Sequence, residues 1–333
     1  MDKILTVTIP SYNAENDLPK VLGLLTESKL IEKLDIVIVN DGSSDNTREV
    51  AGKYAKQYPD SIRAINKVNG GHGSTINVGI ELARGKYFKV VDSDDWLDPK
   101  VLDRFIMDLE GENEDVIFNP FYTFDDKTKK VNIFNKFTND LKLEKTYSFD
   151  EYSFAHLPSM HSFTFKTKKL KEANFKIDEH AYYVDVEYIL FPLTNCDTFK
   201  MLRYPLYFYR INQSGQSVSI ESLKNNKDRH EFVLTSISNY IEKNDGKLSK
   251  CKKETMVNRL SQMIATQYKI ISLLPITKET YRELRNFEKK VNDKLIFDDE
   301  TINLPIKLLL KSNFMLLPII HYLAIFKMKT AHV

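Results

Sequence analysis

The chain has 333 residues, of which 42% are hydrophobic, so it is long enough to bury the core of one large domain or of two. Its 48 Lys and Arg residues against 46 Asp and Glu give a formal charge of +2, which removes the electrostatic reason to expect a nucleic-acid partner. Cys196 and Cys251 form neither a disulfide framework nor a paired metal-ligand spacing, which suits a reducing compartment. The apolar run at the N-terminus is shorter than that of a signal peptide, so we expect a cytoplasmic protein.

Strand-like runs alternate with helix-like segments over the first hundred residues. The runs, rich in β-branched and aromatic residues and each followed by a polar loop, are residues 4–9, 35–39, 62–68 and 86–91. The helix-like segments are residues 16–28, 45–58 and 74–84. This alternation predicts βαβ units and therefore an α/β fold with a mostly parallel, Rossmann-like sheet flanked by helices.

The pattern changes after about residue 116. Two strand-like runs, VIFNPFYTF and KVNIFNKF, flank a polar turn and predict a hairpin or an extension of the sheet. From about residue 222 the pattern is helical to the end. We therefore expect a catalytic domain over residues 1–220, with a donor half (1–100) and an acceptor half (101–220), and a helical region over residues 221–333.

The last helical segment, residues 302–329, combines dense Leu and Ile with several lysines. Its uncharged run, residues 312–326, has 15 residues, fewer than the roughly 20 that a membrane-spanning helix needs. Two interpretations stay open: a helix packed on the domain, or a basic amphipathic segment on an anionic membrane surface. Assembly into a homo-oligomer through these helices is a further alternative.

The run YFKVVDSDDWLD sets four carboxylates directly after an apolar strand. Asp98 precedes a proline and a helix-like segment, which predicts a helix cap. Asp92 and Asp94, with one residue between them, point to the same side of an extended segment, and with Asp95 beside them they suit Mg²⁺ or Mn²⁺. A pair of turn aspartates held by backbone N–H groups explains the residues equally well.

The other polar loops also follow strands, and ligands of an open parallel sheet bind at the carboxyl ends of its strands. Tyr12 is able to stack on a base, and Asp41 is an acceptor suited to a pyrimidine N–H, although a core tyrosine and a turn aspartate explain them too. The glycine-rich run NGGHGST permits close backbone approach to a ligand and then begins a helix, whose N-terminus favours an anion. It matches neither the dinucleotide-binding nor the P-loop fingerprint.

Taken together, VTIPSYNAE, VIVNDGSSDNT and NGGHGSTINVGIELARGKYFKVVDSDDWLD resemble the nucleotide-sugar-binding half of the family 2 glycosyltransferases, which share the GT-A fold. The resemblance covers residues 4–100 closely and continues more loosely to about residue 220. It implies a nucleotide pocket, with Asp41 reading a uracil, that is lined by Pro10, Tyr12, Glu15 and Asp41. It also implies that Asp92 and Asp94 are the Asp-x-Asp signature that faces the ribose and the metal.

The resemblance extends to further donor-binding residues and to a catalytic base. For donor binding we also expect Asn69, Gly73, Ser93, Arg210 and Ser217. Asp185 looks like the aspartate of the family's Glu-Asp motif, with Val184 in place of Glu, and would take the proton from the acceptor hydroxyl. Asp178 is the second candidate for the base. A helix cap for Asp185 and a surface ion pair for Arg210 are the structural alternatives.

One feature departs from the family pattern. Many relatives carry an Arg just before the Asn of the helix, and this chain has Thr75, Ile76 and Asn77 there. The candidates to balance the diphosphate charge instead are His72, Lys67 and Arg210.

We therefore predict an inverting, metal-dependent glycosyltransferase, a hexosyl- or N-acetylhexosaminyltransferase that uses a UDP-sugar and a saccharide or lipid-linked saccharide acceptor. It would act in assembly of a bacterial surface polysaccharide or other glycoconjugate, in the cytoplasm or peripherally on the inner face of the cell membrane. Two alternatives remain: a catalytically inactive nucleotide-sugar-binding or scaffold protein, and a sugar nucleotidyltransferase. The latter should carry a basic, glycine-rich loop after the first strand, where this chain has PSYNAEND.

Overall fold

The computed structural model describes residues 2–134, 141–212, 220–298, 300 and 302–330. Spatial contacts divide the chain into two compact units. The first comprises the described residues of Met1–Tyr152 and Pro158–Ser214; the second comprises Ser153–Leu157 and the described residues of Gly215–Val333. The division into a domain over residues 1–220 and a helical region over residues 221–333 stays a prediction.

The first unit is built of strands and helices. Its strands are β1 (Leu5–Ser11), β2 (Leu34–Asp41), β3 (Ile62–Lys67), β4 (Tyr87–Val90), β5 (Trp96–Leu97), β6 (Val116–Phe118), β7 (Phe121–Asp125), β8 (Val131–Phe134), β9 (Thr146–Ser148), β10 (Phe163–Lys166), β11 (Thr198–Met201) and β12 (Tyr207–Ile211). Its helices are α1 (Leu18–Thr26), α2 (Thr47–Gln57), α3 (His72–Leu82), α4 (Pro99–Gly111), α5 (Thr167–Glu172) and α6 (Asp185–Leu190).

The larger sheet has the spatial order β3-β2-β1-β4-β10-β6-β11-β9. The four strands predicted from the first hundred residues, β1 to β4, form its parallel half, because β1 pairs in parallel with β2 and β4, and β2 with β3. Strand β10 runs antiparallel to both β4 and β6. Strand β11 is parallel to β6 and antiparallel to β9. The α/β fold class is therefore confirmed, with the parallel half at the start of the chain.

Helices cover both faces of the parallel half. Alternate residues of a strand point to opposite faces, and in β1 the apolar residues Leu5 and Val7 join one buried cluster with Leu18 of α1 and Leu102 of α4. On the other face α3 packs against β1. All seven residues of β1 are buried, which is typical of a strand covered on both sides.

The smaller sheet has the order β5-β12-β7-β8, and β7 and β8 form the predicted antiparallel hairpin. Its aromatic side chains stack in a row. The ring of Trp96 lies 5.1 Å from that of Phe208, which lies 4.3 Å from that of Tyr122. Because Trp96 directly follows Asp95, this packing fixes one end of the acidic run on the sheet.

The second unit is helical. Its helices are α7 (Ile220–Asn225), α8 (Lys227–Lys243), α9 (Lys250–Ser272), α10 (Lys278–Lys294), α11 (Leu304–Lys311) and α12 (Leu317–Thr330). Helix α9 is central, since it contacts each of the other five. The segment Ser153–Leu157 joins it through two hydrogen bonds: Phe154 N donates to Thr255 Oγ1 over 2.9 Å, and Asn258 Nδ2 donates to the Phe154 carbonyl over 3.1 Å.

The C-terminal segment forms two short helices, α11 with 8 residues and α12 with 14. Among the described helices, none has both the length and the apolar character that crossing a bilayer requires. Several large apolar side chains of this segment are exposed, namely Leu304, Leu308, Met315, Ile319, Tyr322 and Leu323.

Candidate active site

The acidic loop, residues 92–95, is a turn. The backbone N–H of Asp95 donates to the carbonyl of Asp92 over 3.1 Å, directly after β4. A turn satisfies backbone groups at the point where the chain leaves the sheet. The prediction that Asp92 and Asp94 lie on an extended segment is therefore wrong. Asp98 caps α4 as predicted, with its Oδ1 accepting from Lys100 N over 3.0 Å.

Asp95 ties the acidic loop to β12. Its side chain is 1% exposed; Oδ2 accepts from the Tyr207 hydroxyl over 2.6 Å and Oδ1 from the Arg210 backbone N–H over 2.7 Å. The Tyr207 hydroxyl also accepts from the Asp92 backbone N–H over 3.2 Å. Burial, and then the charges of Asp94 and Asp92, raise the pKa of Asp95 well above its ordinary value. Asp95 thus holds the shape of the loop.

Asp92 pairs with His72, the first residue of α3. The His72 Nε2 and Asp92 Oδ1 atoms are 2.9 Å apart. Burial alone would raise the pKa of Asp92, but the charge and hydrogen bond of His72 outweigh it and lower the pKa. Burial alone would lower the pKa of His72, but the charge and hydrogen bond of Asp92, followed by the charges of Asp185 and Asp94, raise it. The pair therefore favours an ionised Asp92 beside a protonated His72.

Asp94 and Asp185 share this electrostatic environment. Both are half-buried. Burial, and then the charge of Asp92, raise the pKa of Asp94 to about 6. Asp185 is the first residue of α6, and Val184 is the N-cap. Its influence on the pKa of His72 brings the predicted base within electrostatic reach of the acidic loop.

A candidate cation site lies at the acidic loop. Asp92, Asp95 and His161 each offer one ligand atom, and these atoms lie within 4.8 Å of one another. Two carboxylate oxygens suit Mg²⁺ or Mn²⁺, while an imidazole nitrogen favours a transition metal such as Mn²⁺ over Mg²⁺. Burial lowers the pKa of His161 to about 4, so its ring is neutral and available as a ligand. The donor set fits a divalent ion, and Asp94 is outside this group of three.

His161 is held in place from two directions. Lys89 lies on β4, is fully buried, and donates through Nζ to the carbonyls of His161 over 2.8 Å and Phe163 over 3.0 Å. Burial lowers the pKa of Lys89 to about 7. The imidazole stacks on the ring of Tyr209, with 4.1 Å between centroids.

Asp41 anchors the glycine-rich loop. Oδ1 accepts from Gly70 N over 2.9 Å and from Lys67 Nζ over 2.8 Å, and Oδ2 accepts from Gly71 N over 2.8 Å. Asn69 Nδ2 donates to the Asp41 carbonyl over 2.9 Å. Lys67, a sequence candidate for balancing a diphosphate, is thus paired with Asp41. Gly71, at φ 82°, is the N-cap of α3, which begins at His72 rather than at the predicted Ser74.

Gly73 contacts the chain's own backbone. A Cβ at this position would meet the Asp178 carbonyl oxygen at 2.2 Å. Asn77, one turn further along α3, exchanges two hydrogen bonds with the backbone of Ile177, at 2.9 and 3.0 Å. The missing side chain of Gly73 therefore lets α3 approach the segment that leads to Asp185. The sequence did not predict this packing role, and donor binding by Gly73 stays a prediction.

The loops after β1 and β2 are joined to each other. Glu15 Oε2 accepts from the backbone and side-chain N–H groups of Asn46, over 3.0 and 2.7 Å. Its own N–H donates to Asp45 Oδ2 over 3.0 Å. Pro10 is buried at the end of β1, while Tyr12 is 56% exposed. Glu15 thus organises the two loops, and the Tyr12 side chain is exposed to solvent.

Arg210 makes ion pairs within the protein. Its Nη1 lies 2.8 Å from Asp17 Oδ1 and its Nε lies 3.2 Å from Asp126 Oδ1. These contacts match the ion-pair alternative for Arg210. Ser93 is half-buried in the turn between Asp92 and Asp94. Ser217 lies outside the described residues.

Three residues at this site were missed by the sequence analysis: His161, Lys89 and Tyr207. Lys89 is a charged residue in an otherwise apolar strand, which indicates that it has a special role. Its hydrogen-bond acceptors lie 72 and 74 residues further along the chain, so the sequence does not identify them. Tyr207 is 112 residues from Asp95. His161 is a single histidine before β10, and no spacing pattern identifies it as a ligand.

Comparisons with known proteins agree with this architecture. The sequence model of the family described as "Glycosyl transferase family 2" matches residues 6–172. The chain is 24% identical over 312 residues to "Minor teichoic acid biosynthesis protein GgaB" of Bacillus subtilis (strain 168), covering 90% of this chain and 33% of GgaB. It is 27% identical over 220 residues to "Uncharacterized glycosyltransferase EpsJ" of the same organism, covering 65% of this chain and 63% of EpsJ. The chain therefore spans less than two thirds of the length of either relative.

A solved structure supplies the fold comparison. S. aureus TarS 1-349, in complex with UDP-GlcNAc, superposes with a TM-score of 0.61 at 17% identity, covering 96% of this chain and 86% of the TarS chain. At this level of identity the likeness concerns the fold. The predicted GT-A fold is confirmed.

Proposed function

Because the chain belongs to glycosyltransferase family 2, we propose that it transfers a sugar from a UDP-sugar to a saccharide or lipid-linked saccharide acceptor with inversion. The observation that carries this proposal is the cluster at the carboxyl end of β4. Asp92, Asp94, His72 and Asp185 share one electrostatic environment there. Family membership favours a transferase over a sugar nucleotidyltransferase.

A uridine nucleotide is the donor we propose. The TarS neighbour was crystallised with UDP-GlcNAc and also with UDP, and here the exposed Tyr12 is available to stack on a base. Asp41 Oδ2 accepts one hydrogen bond, from Gly71. A carboxylate oxygen accepts two, so Asp41 remains able to accept from the uracil N–H while it anchors the glycine-rich loop.

A divalent ion, Mn²⁺ or Mg²⁺, would be held by Asp92, either with Asp94, as the sequence predicts, or with Asp95 and His161. When bound, the ion offsets negative charge on the departing diphosphate. The chain contributes His72, whose pKa is raised by Asp92 and which lies at the N-terminus of α3, where the helix dipole also favours an anion.

Asp185 is the residue we propose as general base. Its carboxylate would accept the proton of the acceptor hydroxyl while that oxygen forms a bond to the anomeric carbon and the bond to the UDP oxygen breaks on the opposite face. Attack from the face opposite the leaving group inverts the anomeric configuration. Replacement Asp185→Asn should leave UDP binding within about twofold of wild type and lower transfer by about 10²-fold or more, measured with radiolabelled donor. Equal loss of binding and transfer would contradict the assignment.

For the acceptor we propose a bacterial surface polysaccharide or another glycoconjugate, and the name of the relative GgaB supports a cell-surface polymer. Peripheral attachment to the cytoplasmic face of the membrane would occur through residues 302–329. Exposed Leu308 and Ile319 and the lysines of α11 support this contact. We expect Leu308→Asp to reduce co-sedimentation with anionic vesicles; an unchanged vesicle-bound fraction with a change in oligomeric state would favour self-association instead.

The test of donor binding is calorimetric titration of UDP with and without Mn²⁺. Wild type is compared with Asp94→Ala and with Asp60→Ala, an exposed aspartate before β3 that serves as the control. We expect Mn²⁺-dependent binding that Asp94→Ala weakens and Asp60→Ala retains. A screen of UDP-sugars for slow hydrolysis follows. UDP binding with no hydrolysis or transfer would favour the inactive binding protein, and no UDP binding under any condition would contradict the proposal.

A further inference from the structure

A cleft of about 680 Å³ lies at the end of the large sheet opposite the acidic loop. It is bordered by the residues before β1 and β4 and by the end of β10 with α5, since β10 runs antiparallel to β4. We call it the basic cleft, because its lining includes the cationic residues Lys3, Arg84, Lys86, Lys166, Lys168 and Lys171. It is a wide depression that is open to solvent.

The basic cleft concentrates positive charge. Two carboxylates, Asp2 and Glu172, also line it, so its six cations leave an excess of four positive charges. The formal charge of the whole chain is only +2. The basic cleft is therefore strongly positive although the whole chain is nearly neutral, and its electrostatic potential would attract an anionic ligand.

Most of these lysines are fixed by neutral groups. Lys166 Nζ donates to the carbonyl of Asn113 over 2.7 Å, and Lys171 Nζ to that of Ala83 over 2.9 Å. Lys86 donates to carbonyls at the end of α4, over 2.9 and 3.1 Å. A carbonyl orients an ammonium group and offsets its charge only in part, whereas a carboxylate would cancel it. The ammonium groups are thus held in place while much of their charge stays available.

The cations of the basic cleft also influence one another. Burial, and then the charge of Lys166, lower the pKa of Lys86. Burial lowers the pKa of Lys3. Nearby carboxylates raise this pKa, and the charge of Arg84 lowers it again in part. An anion bound between these groups would relieve this repulsion.

We propose that the basic cleft binds a phosphate-rich polyanion, a polyphosphate or phosphodiester chain, at a site separate from the donor site. The proposal goes beyond sugar transfer and does not depend on it. The lining excludes two other anionic partners. Among the described lining residues Ala83 is the only apolar one other than glycine, so nothing there would insert into a bilayer, and none is an aromatic residue on which a nucleobase would stack.

The test is calorimetric titration of the full chain with sodium tripolyphosphate at low salt. EDTA removes divalent ions, so that tripolyphosphate cannot bind at the acidic loop through a bridging metal ion. The test variant is Arg84→Glu/Lys168→Glu; both residues are exposed, and neither belongs to the donor site. The matched control is Lys53→Glu/Lys56→Glu, which makes the same charge change at exposed positions of α2.

We expect wild type and the control to bind tripolyphosphate, and the test variant to bind about tenfold more weakly or not at all. Thermal unfolding checks that each variant is folded, and hydrolysis of the UDP-sugar should be unchanged in all of them. Absence of tripolyphosphate binding in wild type, or equal weakening by the test and control variants, would overturn the proposal. Binding to phosphatidylglycerol vesicles without binding to free tripolyphosphate would overturn it in favour of a membrane surface.

Discussion

Replacement of Tyr207 by Phe isolates the hydrogen bonds that hold the acidic loop. The hydroxyl donates to Asp95 Oδ2 over 2.6 Å and accepts from the Asp92 backbone N–H over 3.2 Å. The ring belongs to the buried core of the first unit, and Phe would keep it. The substitution therefore removes two hydrogen bonds and little apolar contact.

The expected loss of stability follows from the two bonds. Burial and the neighbouring carboxylates raise the pKa of Asp95 and so favour its neutral form, and each of the two bonds is therefore counted at about 0.5–1.5 kcal/mol. The sum predicts that Tyr207→Phe lowers the free energy of unfolding by about 1–3 kcal/mol. Because Asp95 is 1% exposed, water cannot readily replace the lost donor, which favours the upper half of this range.

Urea unfolding is the assay, and Tyr209→Phe is the matched control. Tyr209 lies two residues along the same strand, and no hydrogen bond of its hydroxyl is seen in the described structure, so its replacement should change stability by less than about 0.5 kcal/mol. In a double-mutant cycle with Asp95→Asn we expect a coupling energy of about 1–3 kcal/mol. Equal effects of the two Tyr→Phe variants, or no coupling to Asp95, would refute this account of the loop.

Two further predictions concern packing and pH. Gly73→Ala should destabilise the protein by about 1–3 kcal/mol, because the new Cβ would meet the Asp178 carbonyl oxygen at 2.2 Å. The control is Gly52→Ala in α2, where a new Cβ would have no atom within 4 Å and should stabilise the protein by up to about 1 kcal/mol. Similar unfolding midpoints for the two variants would count against the contact at Gly73. Burial lowers the pKa of His230 to about 4, below its unfolded value of about 6.5. The unfolded chain therefore binds more protons between these values, and lowering the pH from about 7 to about 5 should cost about 2 kcal/mol of stability. Urea unfolding should show this loss in wild type and not in His230→Gln; parallel pH profiles would exclude His230 as its source.

The features that the sequence predicted well are local ones. The strands of the parallel half follow from runs of β-branched residues, and the Asp98 cap follows from an Asp-Pro pair beside a helical pattern. The loops converge as expected because parallel strands end at one edge of a sheet. In each case the deciding residues lie within a few positions of one another.

The features that escaped prediction depend on partners distant in the chain. The packing of residues 177–178 against Gly73 is one such feature, because nothing near Gly73 in the sequence shows this contact. The hydrogen bonds of Asp95 are another, since its partners Tyr207 and Arg210 are 112 and 115 residues away. The ion pair of Arg210 with Asp17 spans 193 residues. Only the folded topology brings such groups together.

The attachment of the acidic loop to β12 has a consequence for fragment design and for synthesis on the ribosome. The family match ends at residue 172, whereas Tyr207 and Arg210, which hold the loop, lie on the strand Tyr207–Ile211. A fragment cut at the end of the match would keep the motifs of residues 4–98 and lose the strand that holds the acidic loop, together with Asp185. A nascent chain likewise carries these motifs before it carries that strand, so we expect the acidic loop to reach its final shape only after residue 211 has left the exit tunnel.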